Sequence, residues 1–449
     1  MTETTGRALP AWFDDAKFGI FVHWTSGAVP AYAPVGPSPF DLADGGGWEA
    51  AFVRNPYVEW YQNSLSIPGS PVAEHHRAHY GDQPYDAFVH EFREGIETWD
   101  PEPWADLSAA AGARYVVHVT KHHDGFMLWP SDHPNPYKEQ WQTTRDVVGE
   151  LADAVRARGM RFGTYYSGGL DWTFGGLPIT DLRSMMGAIP QSEEYRAYAD
   201  AHWRELVERY EPCVLWNDIG YPAAADLGGL FDWYFERVPD GVVNNRFDFI
   251  RQTSGDVHTD FITPEYSTQA PPGRKWETCR GIGTSFGFNR EEHVDSYLDA
   301  TELVHMLVDV VARGGNLLLN VGPTGAGVIP WLQAQPLLGL GWWLQTNGEA
   351  IYDTRPWERA EGTTADGLPV RYTATDDAVY ATVLGTPATR DVVLDVALAP
   401  GADVALLGGG PLAWEAASTG ARVTLREIPD EGPAFCLRLT PRAAVTAAK

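Results

Sequence analysis

From about residue 100 the chain repeats one phrase: an amphipathic helix, a short polar or glycine break, then a short apolar strand. "PWADLSAAAGARYVVHVT" states it first. "TTRDVVGELADAVRARGMRFGTYYS" repeats it, with Val147, Val148, Leu151, Ala154 and Val155 on one helical stripe and Gly159 where a left-handed C-cap belongs. "SEEYRAYADAHWRELVERYEPCVLWND" follows, offering Ser192 as N-cap to an acidic first turn. "LFDWYFERVPDGVVNNRF" and "TELVHMLVDVVARGGNLLLNVGPTG" continue the series. Helices alternating with strands in this way demand parallel strands joined by crossovers, since antiparallel neighbours need only a short turn between them.

A doubly wound open sheet and a closed barrel both satisfy the pattern, and the polar residues choose between them. At the C-terminal ends of the strands, "FGIFVHW" carries His23, "YVVHVTKHH" carries His122 and His123, and "RFGTYYS" carries Tyr165 and Tyr166. "CVLWND" ends at Asp218, "VVNNR" at Arg246, "DFITPEY" carries Glu265 and "NLLLN" ends at Asn320. An open sheet gathers its site at one switch point, whereas a (β/α)8 barrel collects residues from many strand ends into one mouth. The expected fold is therefore α/β, a (β/α)8-like TIM barrel of about eight strands over residues 1–355. Residues 27–98, rich in Gly, Pro and aromatics, read as a long loop in which some helices are missing or replaced. Beyond "AIYDTRPWERAEGTTADGLP" the period changes to two. "VRYTATDDAVYATVLG", "RDVVLDVAL", "ADVALLG", "ARVTLREI" and "AFCLRLT", separated by Gly, Pro and Asp turns, predict an antiparallel β-sandwich over residues 356–449 that supports the barrel.

A formal charge of −27 repels phosphate backbones and anionic lipid, so neither nucleic acid nor membrane is an expected partner. No apolar run approaches the length of a membrane span, and "MTETTGRALPAWFDD" lacks the basic and apolar regions of a signal peptide, which predicts a cytoplasmic protein. Cys213, Cys279 and Cys436 lack metal-type spacing and read as buried thiols.

The barrel mouth then holds Asp218, Glu59, Glu265 and Glu277 with His23, His122, His123 and Arg246, among many aromatic rings. The adjacent imidazoles of "KHHDGF" suggest a metal, but in an extended chain His122 and His123 point to opposite faces and share no ion unless the strand has broken. Two carboxylates across a cleft are the minimum equipment for glycosidic cleavage, and imidazole, guanidinium and indole groups can fix sugar hydroxyls. Each residue also has an ordinary reading. Glu59 could sit on an exposed helical face, Glu277 could pair with Arg274 or Lys275, Arg246 could merely hold a carboxylate, and Asp218 could cap a turn. Their recurrence at one end of one barrel favours function.

The ordered set "FGIFVHW", "YVEWY", "KHHDGFMLWPS", "YYSGGLDW", "VLWNDIG", "TPEY", "KWETCRGIGTSFGFNR" and "GGNLLLNVGPTGAGVIP" resembles the retaining α-L-fucosidases, glycoside hydrolase family 29, from about Trp12 to about Arg355. The resemblance implies an exo-acting enzyme that hydrolyses terminal α-L-fucosyl linkages of fucosylated oligosaccharides or glycosides, without metal or organic cofactor. It implies Asp218 as nucleophile, kept ionised by a cation such as Arg246, and Glu265 as acid/base, kept neutral by less polar surroundings. His23, Tyr57, Glu59, Trp60, His122, His123, Tyr165 and Arg246 would grip the sugar hydroxyls, with Glu277 a further candidate, and Phe21, Trp216 and Phe286 would pack its C5 methyl group. The histidine pair becomes a hydroxyl clamp. An extra polar loop, "DFIRQTSGDVHT", departs from the family pattern just before the acid/base. A homo-oligomer is compatible with the sequence. A metal-dependent hydrolase on the same barrel would need a histidine-x-histidine pair on the first strand, where this chain has "FVHW"; a non-catalytic fucose binder would lack the nucleophile, which Asp218 supplies.

Overall fold

In the computed structural model, which describes residues 7–248, 257–269, 271, 273–429 and 432–448, the repeated phrase winds into a parallel sheet. Its strands are β1 (Phe18–Val22), β2 (Tyr115–Lys121), β3 (Arg161–Tyr166), β4 (Val214–Asn217), β5 (Val242–Val243), β6 (Trp276–Gly281) and β7 (Gly315–Val321). They lie in the order β5-β4-β3-β2-β1-β7-β6, every pair parallel. The edges β5 and β6 are joined by "FITPE": Phe261 bridges Asn244, Ile262 bridges Trp276 and Glu265 bridges Cys279, all in parallel sense. The sheet thus closes with eight staves in chain order.

The closing stave is held unequally. Toward β6 it exchanges backbone bonds, with Glu277 N donating to Ile262 O at 2.9 Å and Cys279 N to Pro264 O at 3.1 Å. Toward β5, side chains take over much of the work: the Asp260 carboxylate accepts from Val243 N at 2.8 Å, and Asn245 Oδ1 accepts from Thr263 N at 2.9 Å. Of the extra loop "DFIRQTSGDVHT", residues 249–256 lie outside the described residues.

The crossover helices follow the sequence. In Glu193–Tyr210 the Ser192 hydroxyl accepts from Tyr195 N, and after Val147–Ala157 Gly159 takes a φ of +76°. Residues 27–98 differ from expectation, being largely helical: Pro39–Val53, Tyr61–Leu65, Pro71–Tyr80 and Asp86–Glu97. Ser38 and Ser70 cap the first and third of these, each with proline at the first helical position. Phe88, Val89, Phe92 and Ile96 bury one face of the last.

The C-terminal part is an antiparallel sheet of eight strands, from Arg355–Thr363 to Ala434–Thr440, with a separate ribbon of Val396–Leu398 and Val445–Ala447. Strands Arg355–Thr363 and Gly410–Ala417 were not legible as strands, being little buried and weakly apolar. The sandwich has its own core, which includes Val370, Tyr372, Val383, Val423 and Leu437. It docks on helix Ala300–Ala312, where Arg371 Nε donates to Asp309 Oδ1 at 2.5 Å and His305 Nε2 to Pro433 O at 2.7 Å. All three cysteines are buried free thiols, and among the described residues no helix is long and apolar enough to cross a membrane.

Candidate active site

At the end of β2 the pairing register to β3 shifts between Val119 and Lys121, and the chain leaves the strand. His122 and His123 therefore do not point to opposite faces: their ring centroids lie 4.0 Å apart and both line one cavity at the barrel mouth. His23 reaches the same cavity from the end of β1.

Neighbouring hydrogen bonds set which nitrogen carries the proton. Asn320 Nδ2 donates to Phe286 O at 2.6 Å, which turns Asn320 Oδ1 toward His23 Nδ1, also at 2.6 Å. The Ser167 hydroxyl donates to Leu170 O at 2.7 Å and so accepts from His123 Nδ1 at 2.6 Å. Each imidazole is protonated on Nδ1 and keeps Nε2 as an acceptor. Burial pulls His23 down to about 4 and His123 to about 3, so both are neutral at pH 7. Two neutral acceptors facing a cavity suit hydroxyl donors. Among the described residues, no three His, Cys, Asp or Glu side chains converge as a metal shell.

Asp218 follows β4 at a strained turn. Ile219 takes a φ of 52°, a conformation that costs a β-branched residue on the order of 1–2 kcal/mol, and its N–H donates to Asp218 Oδ1 at 3.0 Å. Arg246 Nη1 donates to the same oxygen at 2.8 Å, and Tyr165 Oη donates to Oδ2 at 2.8 Å. Burial pushes the carboxyl up, but the charge and hydrogen bond of Arg246, with the hydrogen bond from Tyr165, outweigh it and hold it below the ordinary value. Asp218 is a largely buried anion.

Glu265 is likewise followed by a bulky residue in the left-handed region, Tyr266 at φ 52°. Its Oε1 accepts from Tyr57 Oη at 2.7 Å and its Oε2 from Arg246 Nη2 at 2.9 Å. This corrects the expectation of weakly polar surroundings: Glu265 is ion-paired to the guanidinium that also holds Asp218. Arg246 lies over the Trp216 ring, 4.7 Å from its centroid, and Trp216 stacks on Tyr165 at 5.4 Å.

Glu59 is buried in the 3-10 turn Val58–Trp60 rather than on an exposed helix face. Its Oε2 accepts from Gly287 N at 2.8 Å, and burial raises it to about 8, so it is a carboxylic acid at pH 7. Glu277 does not line the cavity. It is fully buried beneath it, accepts from Tyr115 Oη and from Trp216 Nε1 at 3.2 Å, and supports the Trp216 floor, while Lys275 pairs with Asp14. Tyr166 points outward and bonds His202, leaving Tyr165 alone of the pair in the cavity.

The cavity, about 430 Å3, is walled by Phe21, Trp216 and Phe286 on the apolar side of its inner end, with Phe21 and Trp216 5.0 Å apart. Tyr57 and Trp60 also line it. Sequence reasoning missed Asn55 in a loop, Asn245 in the 3-10 turn Asn245–Asp248 and Thr263 on the closing stave, all of which line the cavity, and Ser167, which orients His123. "YYSGGLDW" pointed to the Ser167 loop but not to the role.

A (β/α)8 barrel whose mouth sets two carboxylates on one guanidinium, beside hydroxyl acceptors and an aromatic wall, is a glycoside hydrolase. Comparison with known proteins narrows the class. The family model described as Alpha-L-fucosidase matches residues 1–349. The alpha-L-fucosidase of Branchiostoma floridae is 34% identical over 438 residues, covering 94% of this chain and 89% of the relative. Human tissue alpha-L-fucosidase is 32% identical over 459 residues, 98% of this chain and 88% of its own. The crystal structure of Thermotoga maritima alpha-fucosidase in complex with fucose superposes with a TM-score of 0.84 at 42% identity, covering 96% of this chain and 97% of that one. The chain belongs to the alpha-L-fucosidase family.

Proposed function

We propose that the protein is an exo-acting hydrolase of terminal α-L-fucosyl linkages that works by double displacement, with Asp218 as nucleophile and Glu265 as acid/base. The observation that carries the assignment is the Arg246 bridge, with 2.8 Å to Asp218 and 2.9 Å to Glu265. Carboxylates that share one guanidinium are held near each other. This suits the roughly 5–5.5 Å separation of a retaining pair better than the roughly 6.5–9.5 Å of an inverting pair, which leaves room for a water.

Asp218 attacks the anomeric carbon, the bond from that carbon to the aglycone oxygen breaks, and Glu265, which has to take up a proton and give up its ion pair with Arg246 before this step, passes that proton to the departing oxygen. Glu265, now a carboxylate, takes a proton from water as its oxygen attacks the same carbon. The ester to Asp218 breaks and α-L-fucose leaves with configuration retained. His23 and His123 accept from sugar hydroxyls through Nε2, Glu59 donates through its carboxylic acid, and Phe21, Trp216 and Phe286 enclose the C5 methyl group.

The test is azide rescue. Asp218→Ala should lose several orders of magnitude in kcat on an aryl α-L-fucoside. Glu265→Ala should show a burst followed by slow turnover, and azide should accelerate release and yield α-L-fucosyl azide, because azide needs no general base. Rescue of Glu59→Ala with none for Glu265→Ala would move the acid/base role to Glu59, whose retained proton already suits it for donation.

A further inference from the structure

The cavity has two chemically distinct halves. The inner half holds Asp218, Arg246, Glu265 and Glu59. The outer half is walled by Phe40, Trp48 and Phe52 of helix Pro39–Val53 and faced by Leu182 and Met185 of helix Leu182–Gly187. Among the described residues, no charged side chain stands in that outer wall. Phe40 and Leu182 are 41% and 37% exposed, a cost in water that a ligand would remove.

The two halves are joined by a run of ring contacts. From His123 the run passes to Trp60 at 5.1 Å, to Phe52 at 5.7 Å, to Trp48 at 6.3 Å and to Phe40 at 5.9 Å. The helix carrying the outer rings breaks at Gly47, where φ is 80° and ψ 165°, a conformation open to glycine but not to residues with a Cβ. That break interrupts the helix immediately before Trp48. A glycone held by the inner groups, with its anomeric carbon over Asp218, leaves the outer half of the cavity free for its aglycone. A cavity of about 430 Å3 exceeds the needs of a single pyranose and falls in the roughly 300–1,000 Å3 range of sites for larger ligands.

We infer that Phe40, Trp48 and Leu182 form an aglycone subsite for a flat ring with an apolar face, bound by stacking and dispersion. The inference rests on the proposed fucosidase reading. Such a face is offered both by an aryl group and by the C–H side of a pyranose, and the two sources are separable by substrate.

The experiment compares kcat/KM on three substrates: α-L-fucosyl fluoride, which carries no ring as leaving group, an aryl α-L-fucoside, and an α-L-fucosyl-galactose disaccharide. Each is measured with the wild-type protein and with Phe40→Ala, Trp48→Ala, Trp48→Phe and Leu182→Ala. Loss of one stacked ring should lower the ratio of ring-bearing substrate to fluoride about 5- to 10-fold in Trp48→Ala, less in the exposed Phe40→Ala, with Trp48→Phe restoring most of it. A fall confined to the aryl substrate assigns the subsite to aryl groups; a fall on the disaccharide extends it to sugar faces. A ratio unchanged in Phe40→Ala, Trp48→Ala and Leu182→Ala, or an equal loss on fluoride, overturns the subsite. Wild-type protein inert toward all three substrates would instead refute the fucosidase reading.

Discussion

Arg246 pairs with both carboxylates of the site, Asp218 at 2.8 Å and Glu265 at 2.9 Å. Arg246→Gln should remove the influence that opposes burial at Asp218, whose carboxyl is held below its ordinary value. The proposed nucleophile must be ionised, so the acid limb of kcat/KM should move to higher pH, measured as a pH profile. Glu59 works in the opposite sense. With its carboxyl raised to about 8, it is protonated below that pH and charged above it. An alkaline fall near pH 8 is expected in the wild-type profile and should vanish in Glu59→Gln, which keeps a donor without a titration, whereas Glu59→Ala should lose activity at every pH. At this scale the sequence was legible where position along a strand determines reach. Asp218, His23 and the histidine pair stand at strand ends. Glu277 stands near the start of β6 and Tyr115 at the start of β2, so the two meet deep in the barrel. A glutamate in a sequence shows no depth, which is why Glu277 looked like a mouth residue.

Helix and strand periodicity made the barrel legible from residue 100 onward, because each crossover carries an apolar stripe, a cap and a following strand. The crossover between β1 and β2 was harder. It is cut into short helices whose signals are local: Ser38-Pro39, Ser70-Pro71, and the spacing of Phe88, Phe92 and Ile96. Gly, Pro and aromatic content concealed them, since the same residues mark turns. Ser70→Ala should cost about 1–2 kcal/mol, the price of a helix cap, because its hydroxyl accepts from Ala73 N at 3.0 Å and donates to Ser64 O at 2.5 Å; denaturant unfolding measures it. The loops after β3 and β4 interlock. Gly169 N donates to Asp218 O at 3.0 Å, and a Cβ on Gly169 would stand 1.9 Å from Ile219 O. Gly169→Ala must therefore displace the turn that carries Asp218. A loss in kcat on the order of 100-fold is expected from a misplacement of this kind, with intact far-UV dichroism showing that the fold survives.

The barrel and the sandwich share helix Ala300–Ala312, and Asp309 on it accepts from Arg371 at 2.5 Å and from Arg313 at 3.2 Å. Burial raises the Asp309 carboxyl, but the bonds from Arg313 and Arg371 prevail and set it below the ordinary value. A carboxyl depressed in the folded state stabilises above its unfolded value and loses that contribution as pH falls through the folded one. Asp309→Ala should therefore lower thermal stability at pH 7 by about 1–3 kcal/mol, and the difference from wild type should shrink in acid. Activity should be unaffected, since the helix lies outside the mouth. The barrel itself is not equally firm all round. Its eighth stave is stitched to β6 by backbone and to β5 largely by the side chains of Asp260 and Asn245, and the Arg246–Glu265 ion pair crosses that same seam. A hoop breathes where its staves are least joined. Amide deuterium uptake should accordingly be faster at Thr263 than at the amides of β1, and an occupied site, by pinning Arg246 and Glu265 to one ligand, should slow it.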